Sequence, residues 1–500
     1  MNIILHIVAK DLRGLRWQVL LILILQFAYA ALHFRPQTSS GPSIPEIVLS
    51  WLIIATHMFF VSSAVHADAI PGDRQYWLTR PFTRLQLLTA KLLLTLLVIH
   101  VPLFLSDCLI LTGHEFNPLL SLGGLLWRQA LYFLSATMLM LALSAVTRNL
   151  TQFALSAIVL VAAVVFLPYL NSLNQGFPMS WGGLTWILAL INILLATSGA
   201  AAVLWLMYIR RRAKAGWAVL ATTALLLPFA TDLAPFAFAF RIQRQFHSGA
   251  DFKPAIEFDA SRLRSATNRR LNQQNLTLLI PIRATGLPRN SVVHSDRIQG
   301  ALRLPTGETH KLPLRGIWSS ETGNSEDWVF FPINSALFAK YRDTPVSIDL
   351  TFYLTSFGNP RGYSMHAKSP EPRRMGELGR CDSAPDFAGL ISVTCFAPIQ
   401  LPSRITAQLV NPNTGRPVTR DVRLQDALNY SPLPTDRFQF NPIAVGRSSF
   451  SIMSVPGEDL VTKTQKQFLE SDVQFQLLDP QGHFTTHFTT PPVPLRDLVH

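Results

Sequence analysis

Residues 67–91, ADAIPGDRQYWLTRPFTRLQLLTAK, separate two long apolar runs and decide how the chain is read. The stretch punctuates itself. Pro71-Gly72 marks a turn, and Asp73 is a fair N-cap for a short helix over 74–79. Pro81 disfavours helical backbone at Arg80 and ends that helix. Thr83 and Gln86 have the spacing of a capping box, which opens the next apolar helix. The expected product is a short helix lying across the end of a hairpin of membrane helices. Asp73, Arg74, Tyr76, Trp77, Arg80, Pro81, Phe82 and Arg84 give it an aromatic and basic face suited to docking. From spacing alone, the same residues also suit an interfacial loop whose aromatics and arginines sit at the headgroups.

Outward from this loop the chain is apolar. Residues 2–16 place Asn2, His6, Lys10 and Arg13 on one helical stripe and Ile4, Val8, Leu12 and Leu15 on another. That predicts an amphipathic helix at the membrane surface. Runs long enough to cross a bilayer are expected at about 17–34, 45–66, 87–112, 120–147, 150–170, 183–209 and 216–240, about seven in all. Ala28-Tyr29-Ala30 mimics a signal-peptidase site, but the long lead-in and the spans that follow argue against cleavage. Lys10, Arg13, Arg16, Arg74, Arg80, Arg84, Lys91, Arg148, Arg210, Arg211, Arg212 and Lys214 all fall on one side of these spans. The short loops on the other side hold Arg35, with Arg128 at a span edge. The asymmetry puts the N-terminus and the 67–91 loop in the cytoplasm and everything after residue 240 outside. Arg241 and Arg244 oppose the rule locally.

The chain of 500 residues carries a formal charge of +13, of which residues 1–240 contribute +7 (14 basic, 7 acidic). Membrane topology accounts for the basic residues, and no nucleic-acid motif is present. After a polar stalk at 241–274, short β-rich runs separated by Gly, Pro and Asn occupy 275–500. They predict antiparallel β structure, as one large sandwich or two small ones in tandem, with one short helix near Ser335–Tyr341. The fold class expected is therefore a polytopic α-helical membrane domain followed by an all-β, sandwich-like domain. Cys108 lies in a span and reads as inert packing. Cys381 and Cys395 both lie in the β part and are expected to form a disulfide, in keeping with an oxidising compartment.

Catalytic chemistry finds little support. The dipeptide Gly-Lys does not occur, so there is no Walker A loop. His114-Glu115 does not continue into HExxH, and no Gly-x-Ser-x-Gly elbow is present. His483 and His487, in the doubled HFTTHFTT, share a strand face but read as surface β residues rather than metal ligands. No metal or cofactor is expected. Inside the spans, polar residues are functional candidates by default. Asp107 and Arg128 could pair across a hairpin, although each also suits an interfacial position. His57 and His100 sit mid-span and are expected to be satisfied buried histidines.

AKDLRGLRW at the start of the chain, together with ADAIPGDRQYWLTRPFTRLQLLTAKLL, resembles bacterial ABC-2 type transporter permeases. Gly72, Leu78, Pro81, Thr83, Arg84, Leu87, Leu88 and Lys91 fit the family pattern after the second span, and Asp68 stands where an acidic residue often precedes the Gly. The resemblance covers roughly residues 1–210. It implies an elbow helix at the N-terminus, a coupling helix in 67–91 that docks on a separate ATPase subunit, and a second membrane subunit, in a homodimer or heterodimer within the bacterial inner membrane. The family core has six spans, so the seventh span and the β domain are additions. A membrane-anchored extracytoplasmic binding or sensor protein is the alternative from another class. A membrane enzyme lacks any recognisable nucleophile, metal cluster or carboxylate pair.

Overall fold

The computed structural model describes residues 3–34, 44–68, 82–175, 182–229, 235–246, 255–263, 276–286, 291–312, 319–321, 325–367, 369–385, 391–397, 404–410, 413, 446–452 and 470–499. Its first half is helical. Helix α1 (Ile3–Gly14) leads into α2 (Arg16–His33), α3 (Ile44–His66), α4 (Arg84–Gly113), α5 (Leu122–Val146), α6 (Leu150–Gln175), α7 (Trp186–Arg210) and α8 (Ala213–Leu226). Among the described residues, five of these helices (α2, α3, α4, α5 and α7) are long and apolar enough to cross a membrane, and Leu150–Ala162 and Ala213–Leu226 are shorter apolar stretches. Helix α4 starts where the sequence says it should. Thr83 accepts from the Gln86 backbone, and Gln86 returns a bond to the Thr83 N–H at 2.8 Å. Helices α4, α5 and α7 each contain a π-helical turn, at Leu96–His100, Phe133–Thr137 and Trp205–Arg210.

The run at 216–240 is not one continuous α-helix among the described residues, which omit 230–234. Its helix ends at Leu226 and tightens into a 3₁₀ turn, Leu227–Phe229. A separate helix, α9 (Phe236–Phe246), begins afterwards. Pro228 lies in the 3₁₀ turn and lacks the backbone N–H that would continue the helical ladder. Apolar length alone does not distinguish one long helix from two short ones. Nor is 241–274 only a stalk. It holds the end of α9 and strand β1 (Ala255–Phe258), which pairs with β2 (Thr277–Thr285).

Among the described residues, the second half forms three antiparallel sheets. The largest has the order β11 (Arg404–Val410), β13 (Asp472–Thr489), β7 (Pro345–His366), β3 (Val292–Arg303), β4 (Thr309–Lys311), with β5 (Ser319–Glu321) and β14 (Val493–Pro494) attached to β3 and β7. A three-stranded sheet, β1-β2-β6 (β6 being Ser325–Pro332), faces it. One apolar core lies between them, containing Leu278, Ile280, Ile282, Val329 and Phe331 from one sheet and Ile298, Leu302, Ile348, Leu350 and Phe352 from the other. This is the packing of two sheets around interdigitated inner faces. The short helix appears as α10 (Ser335–Tyr341), with the Asn334 side chain capping it by accepting from the Ala336 N–H at 2.8 Å. A third sheet, in the order β12 (Gly446–Ile452), β10, β9, β8 (Ser369–Arg374), carries the disulfide. Cys381 of β9 (Arg380–Pro385) stands directly opposite Cys395 of β10 (Ile391–Ala397), and the two are bonded.

Strand β7 shows where the β part meets the helices. Its burial alternates up to about residue 351, as expected for one covered face, and then runs unbroken through 352–358. Along that stretch α9 covers the second face. Phe236 and Phe240 pack edge-on against Tyr353 at 5.2 Å each, and Leu184 and Ile187 join the same cluster from the end of the helical part.

The disulfide makes a direct prediction. With three cysteines in the chain, maleimide should label one thiol, Cys108, in the denatured unreduced protein and all three after reduction. Cys381→Ser/Cys395→Ser should lower stability by about 3 kcal/mol, the value for a closed loop of this length.

Candidate functional site

The helices define two ends. At one end, called here the basic end, lie α1, the end of α3, the start of α4 and the α7–α8 turn. The β part attaches at the other, the sheet end. The basic end is organised by a buried ion cluster. Lys91 Nζ donates to Asp11 Oδ2 at 2.7 Å and also pairs with Asp68. Lys10 pairs with Asp68 at 3.0 Å and with Asp11 at 3.3 Å. The side chains of Lys91, Asp11 and Asp68 are all buried, while Lys10 is half exposed. Burial opposes the charge on Lys10, but hydrogen bonding to Asp68 and the charges of Asp68 and Asp11 outweigh it and raise its pKa above the ordinary lysine value. The Tyr208 hydroxyl, from α7, lies in the field of both carboxylates. Two cations and two anions thus balance in a site where any one alone would be costly.

This cluster joins places far apart in sequence. Asp11 belongs to α1, Asp68 follows α3, and Lys91 lies two turns into α4. Asp68 and Lys91 stand at the two ends of the 67–91 loop, so the ion pair closes its base. Nearby, His66 Nε2 lies 3.1 Å from the Ser144 and Thr147 carbonyls at the end of α5. Arg84 Nη1 donates to the Ile209 carbonyl at 2.8 Å, at the C-terminal end of α7, where a cation is favoured. Phe82 packs against the same apolar core. Of the predicted docking residues, only Phe82 and Arg84 are described. Asp73, Arg74, Tyr76, Trp77, Arg80 and Pro81 lie outside the described residues. Arg84 is exposed, and one of its guanidinium nitrogens makes this bond within the protein.

A second polar chain runs through the middle of the helices. Thr137 Oγ1 lies 3.1 Å from His100 Nε2, and His100 Nδ1 lies 3.1 Å from Gln129 Oε1. Gln129 Nε2 donates to Asp107 Oδ2 at 3.0 Å. An Nδ1–H tautomer of His100 satisfies every contact, with all donors directed towards Asp107. Alongside it, His57 contacts Gln26 Nε2 at 2.9 Å and the Tyr132 hydroxyl at 3.0 Å. The Tyr132 ring lies 5.6 Å from that of His100. Two of the three π turns, in α4 and α5, meet at His100, and such turns recur at functional positions. Asp107 is fully buried and Arg128 is half-buried; both lie in the electrostatic field around Tyr29. Gln26, Gln129, Tyr132 and Thr137 carry as much of this chain as the histidines do. Their signal in the sequence is weak, because each is a common neutral residue in an apolar run.

Asp11 has a weak signal in the sequence. The apolar stripe Ile4, Val8, Leu12 and Leu15 does face the core, with Val8 and Leu15 buried and Ile4 and Leu12 partly so. Asp11 is buried on the same side of the helix as Ile7 and Val8. A carboxylate on an apolar face is the trace such a partner leaves. Lys91, alone among leucines, is its counterpart.

At the sheet end, His114 Nε2–H donates to the His33 carbonyl at 2.9 Å, and Glu115 pairs with Arg380 at 3.0 Å. Gly113 sits so close to Phe34 that a Cβ there would collide with it. The neighbour of Cys381 is thereby tied to the turn after α4. Trp186 Nε1–H donates to Gln243 Oε1 at 2.8 Å, tying α7 to α9. His483 is buried rather than on the surface: Thr355 Oγ1 lies 2.7 Å from its Nδ1 and 2.6 Å from Asp296 Oδ2. Asp296 reaches inward because β3 bulges between Ser295 and Arg297. Among the described residues, no group of three or more His, Cys, Asp or Glu is arranged to hold a metal ion.

No protein-family model, curated protein or solved structure matches the chain.

Two outcomes follow from these contacts. Lys91→Met strands two buried carboxylates and should cost about 3–5 kcal/mol, read as a lower unfolding midpoint. Adding Asp11→Asn and Asp68→Asn should recover part of that loss. Burial, followed by the charge of Arg380, holds His114 below the ordinary histidine value, against a hydrogen bond to His33. Its contribution to stability is therefore complete above the unfolded pKa of about 6.5 and falls as pH drops below that towards the folded value. His114→Gln should flatten the fall in unfolding midpoint between about pH 7 and pH 5.

Proposed function

We propose that this chain is the membrane-spanning permease subunit of an ABC transporter of the ABC-2 type. A separate ATPase would dock on the cytoplasmic 67–91 loop, and a second membrane subunit would complete the path. The observation that carries the reading is the Lys91–Asp68–Asp11 cluster. The resemblance rests on two stretches, one at the chain start and one after α3. Three of their charged residues meet at a single buried point. A loop whose two ends are fixed to each other and to the N-terminal helix is well built to pass on a push. Displacing it would move α1, α3 and α4 together, and α4 carries His100 and Asp107 into the polar chain.

Orientation follows from the charges. The basic end, with Arg13, Arg16, Arg84, Arg148 and Arg210–Arg212, would face the cytoplasm of a bacterial cell, and the sheet end would lie outside. The Cys381–Cys395 bond suits that assignment, since disulfides persist in oxidising compartments. The β sheets, fixed to the helices at Trp186–Gln243 and Arg380–Glu115, would stand over the outer ends of α4, α5 and α7. The size of the β part is also what favours the second reading, an extracytoplasmic binding or sensor protein anchored by its helices.

An affinity-tagged chain should bring down an ATPase with a Walker A motif. Trp77→Ala/Arg80→Ala should reduce its recovery at least roughly tenfold while the chain still inserts, a loss of more than about 1.4 kcal/mol. Arg84→Ala is the contrasting variant. It removes the bond to Ile209 and should lower stability more than docking. Unchanged ATPase recovery with Trp77→Ala/Arg80→Ala would remove the docking claim and favour the anchored-receptor reading.

A further inference from the structure

Arg241 and Arg244 run against the charge asymmetry of the helical half, and the transporter reading gives them no role. Both are exposed on α9, and neither has an ion pair or hydrogen bond among the described residues. Arg297, on β3, is in a similar position. Its guanidinium lies 4.8 Å above the Phe236 ring, and its Nε is buried without a hydrogen-bond partner. No carboxylate pairs with it among the described residues. Its neighbour Asp296 points into the bulge and accepts from Thr355 instead. Burial pulls the Arg297 pKa below the usual arginine range. A half-buried cation without a counter-ion is expensive unless an anion arrives from outside.

The depth of these residues indicates which anion. Trp186 opens α7, one of the helices able to cross a membrane, and its ring packs against Phe246 at 5.9 Å. A tryptophan at the end of such a helix marks the headgroup level. Helix α9 therefore lies at that level. Its inner face, Phe236, Ala239, Phe240 and Gln243, is buried against the β sheet and the end of α7. Away from that face the helix carries Arg241 and Arg244 with Phe238; Phe238 and, at the end of the helix against Trp186, Phe246 are both 52% exposed. Exposed phenylalanines beside arginines are the composition of a helix lying in a membrane surface.

We propose that α9 rests on the membrane surface at the sheet end, with Arg297, Arg241 and Arg244 binding the phosphates of anionic phospholipid headgroups. The β part is then held against the bilayer as well as against the helices. The inference does not depend on the transporter reading, since it needs only a membrane at the level of Trp186.

The test uses the purified full-length chain in mild detergent, supplied in turn with phosphatidylglycerol, phosphatidylcholine and inorganic phosphate. Retained lipid is counted by native mass spectrometry, and unfolding midpoints are recorded in parallel. Phosphatidylglycerol should be retained in preference to phosphatidylcholine and should raise the midpoint. Each Arg→Gln change should weaken that retention roughly fivefold. Arg241→Gln/Arg244→Gln, on the exposed face, should fold normally and weaken it roughly 25-fold, whatever the fate of Arg297→Gln. Arg297→Lys should keep most of the binding. Equal retention by the wild type and the Arg241→Gln/Arg244→Gln/Arg297→Gln variant would overturn the proposal. So would a midpoint shift reproduced in full by inorganic phosphate, which would mark a soluble-anion site.

Discussion

A charge taken out of water must find an opposite charge, and in this protein that requirement is met by bringing distant segments together. Lys91 is held in α4 among leucines, where it would be intolerable alone. Asp11 and Asp68 neutralise it, and Lys10 from the half-exposed edge balances the second carboxylate. The same contacts set the position of α1 on the helices and close the base of the 67–91 loop. Such a cluster is a poor source of net stability, because desolvation cancels most of the attraction. What it supplies is a defined register: in this placement of α1 against α3 and α4 all four charges are paired.

The sheet end is joined differently. There the contacts are aromatic and neutral for the most part, with Tyr353 between Phe236 and Phe240, and Trp186 bonded to Gln243. One ion pair, Glu115–Arg380, links the disulfide-bearing sheet to the turn after α4. Glu115 adopts a left-handed backbone conformation, φ 61°, which is uncommon for a residue with a side chain. Two separate attachments of this kind make the β part an extension of the helical ends rather than a module on a free tether. That differs from the stalk expected over 241–274, where polar composition suggested a linker. The residues there instead supply the end of α9 and the first strand of a sheet.

Between the two ends, the polar chain through His100 shows how neutral side chains are accommodated in an apolar setting. Each buried group finds a partner on another helix, so Gln26, His57, Gln129 and Tyr132 bind α2, α3, α4 and α5 to one another. Interhelical bonds of this sort are modest individually. They are concentrated around two π turns, at Leu96–His100 and Phe133–Thr137.

Some of this was legible in the residues themselves. Apolar runs announce helices, because only a continuous apolar surface suits lipid or a core. Alternation broken by Gly and Pro announced the strands, and the Thr83–Gln86 spacing and the α10 segment were readable because capping and short-range periodicity are local. The Cys381–Cys395 bond was expected from residue type and compartment. Local patterns do not say which distant groups meet. The pairing of Lys91 with Asp11 and Asp68 and the burial of His483 were decided by packing. Each depends on what covers a surface, and a sequence lists surfaces without saying what lies against them. Tertiary structure supplied those neighbours, since a buried charge or an aromatic face takes its lowest free energy only from the partner that closes it off from water.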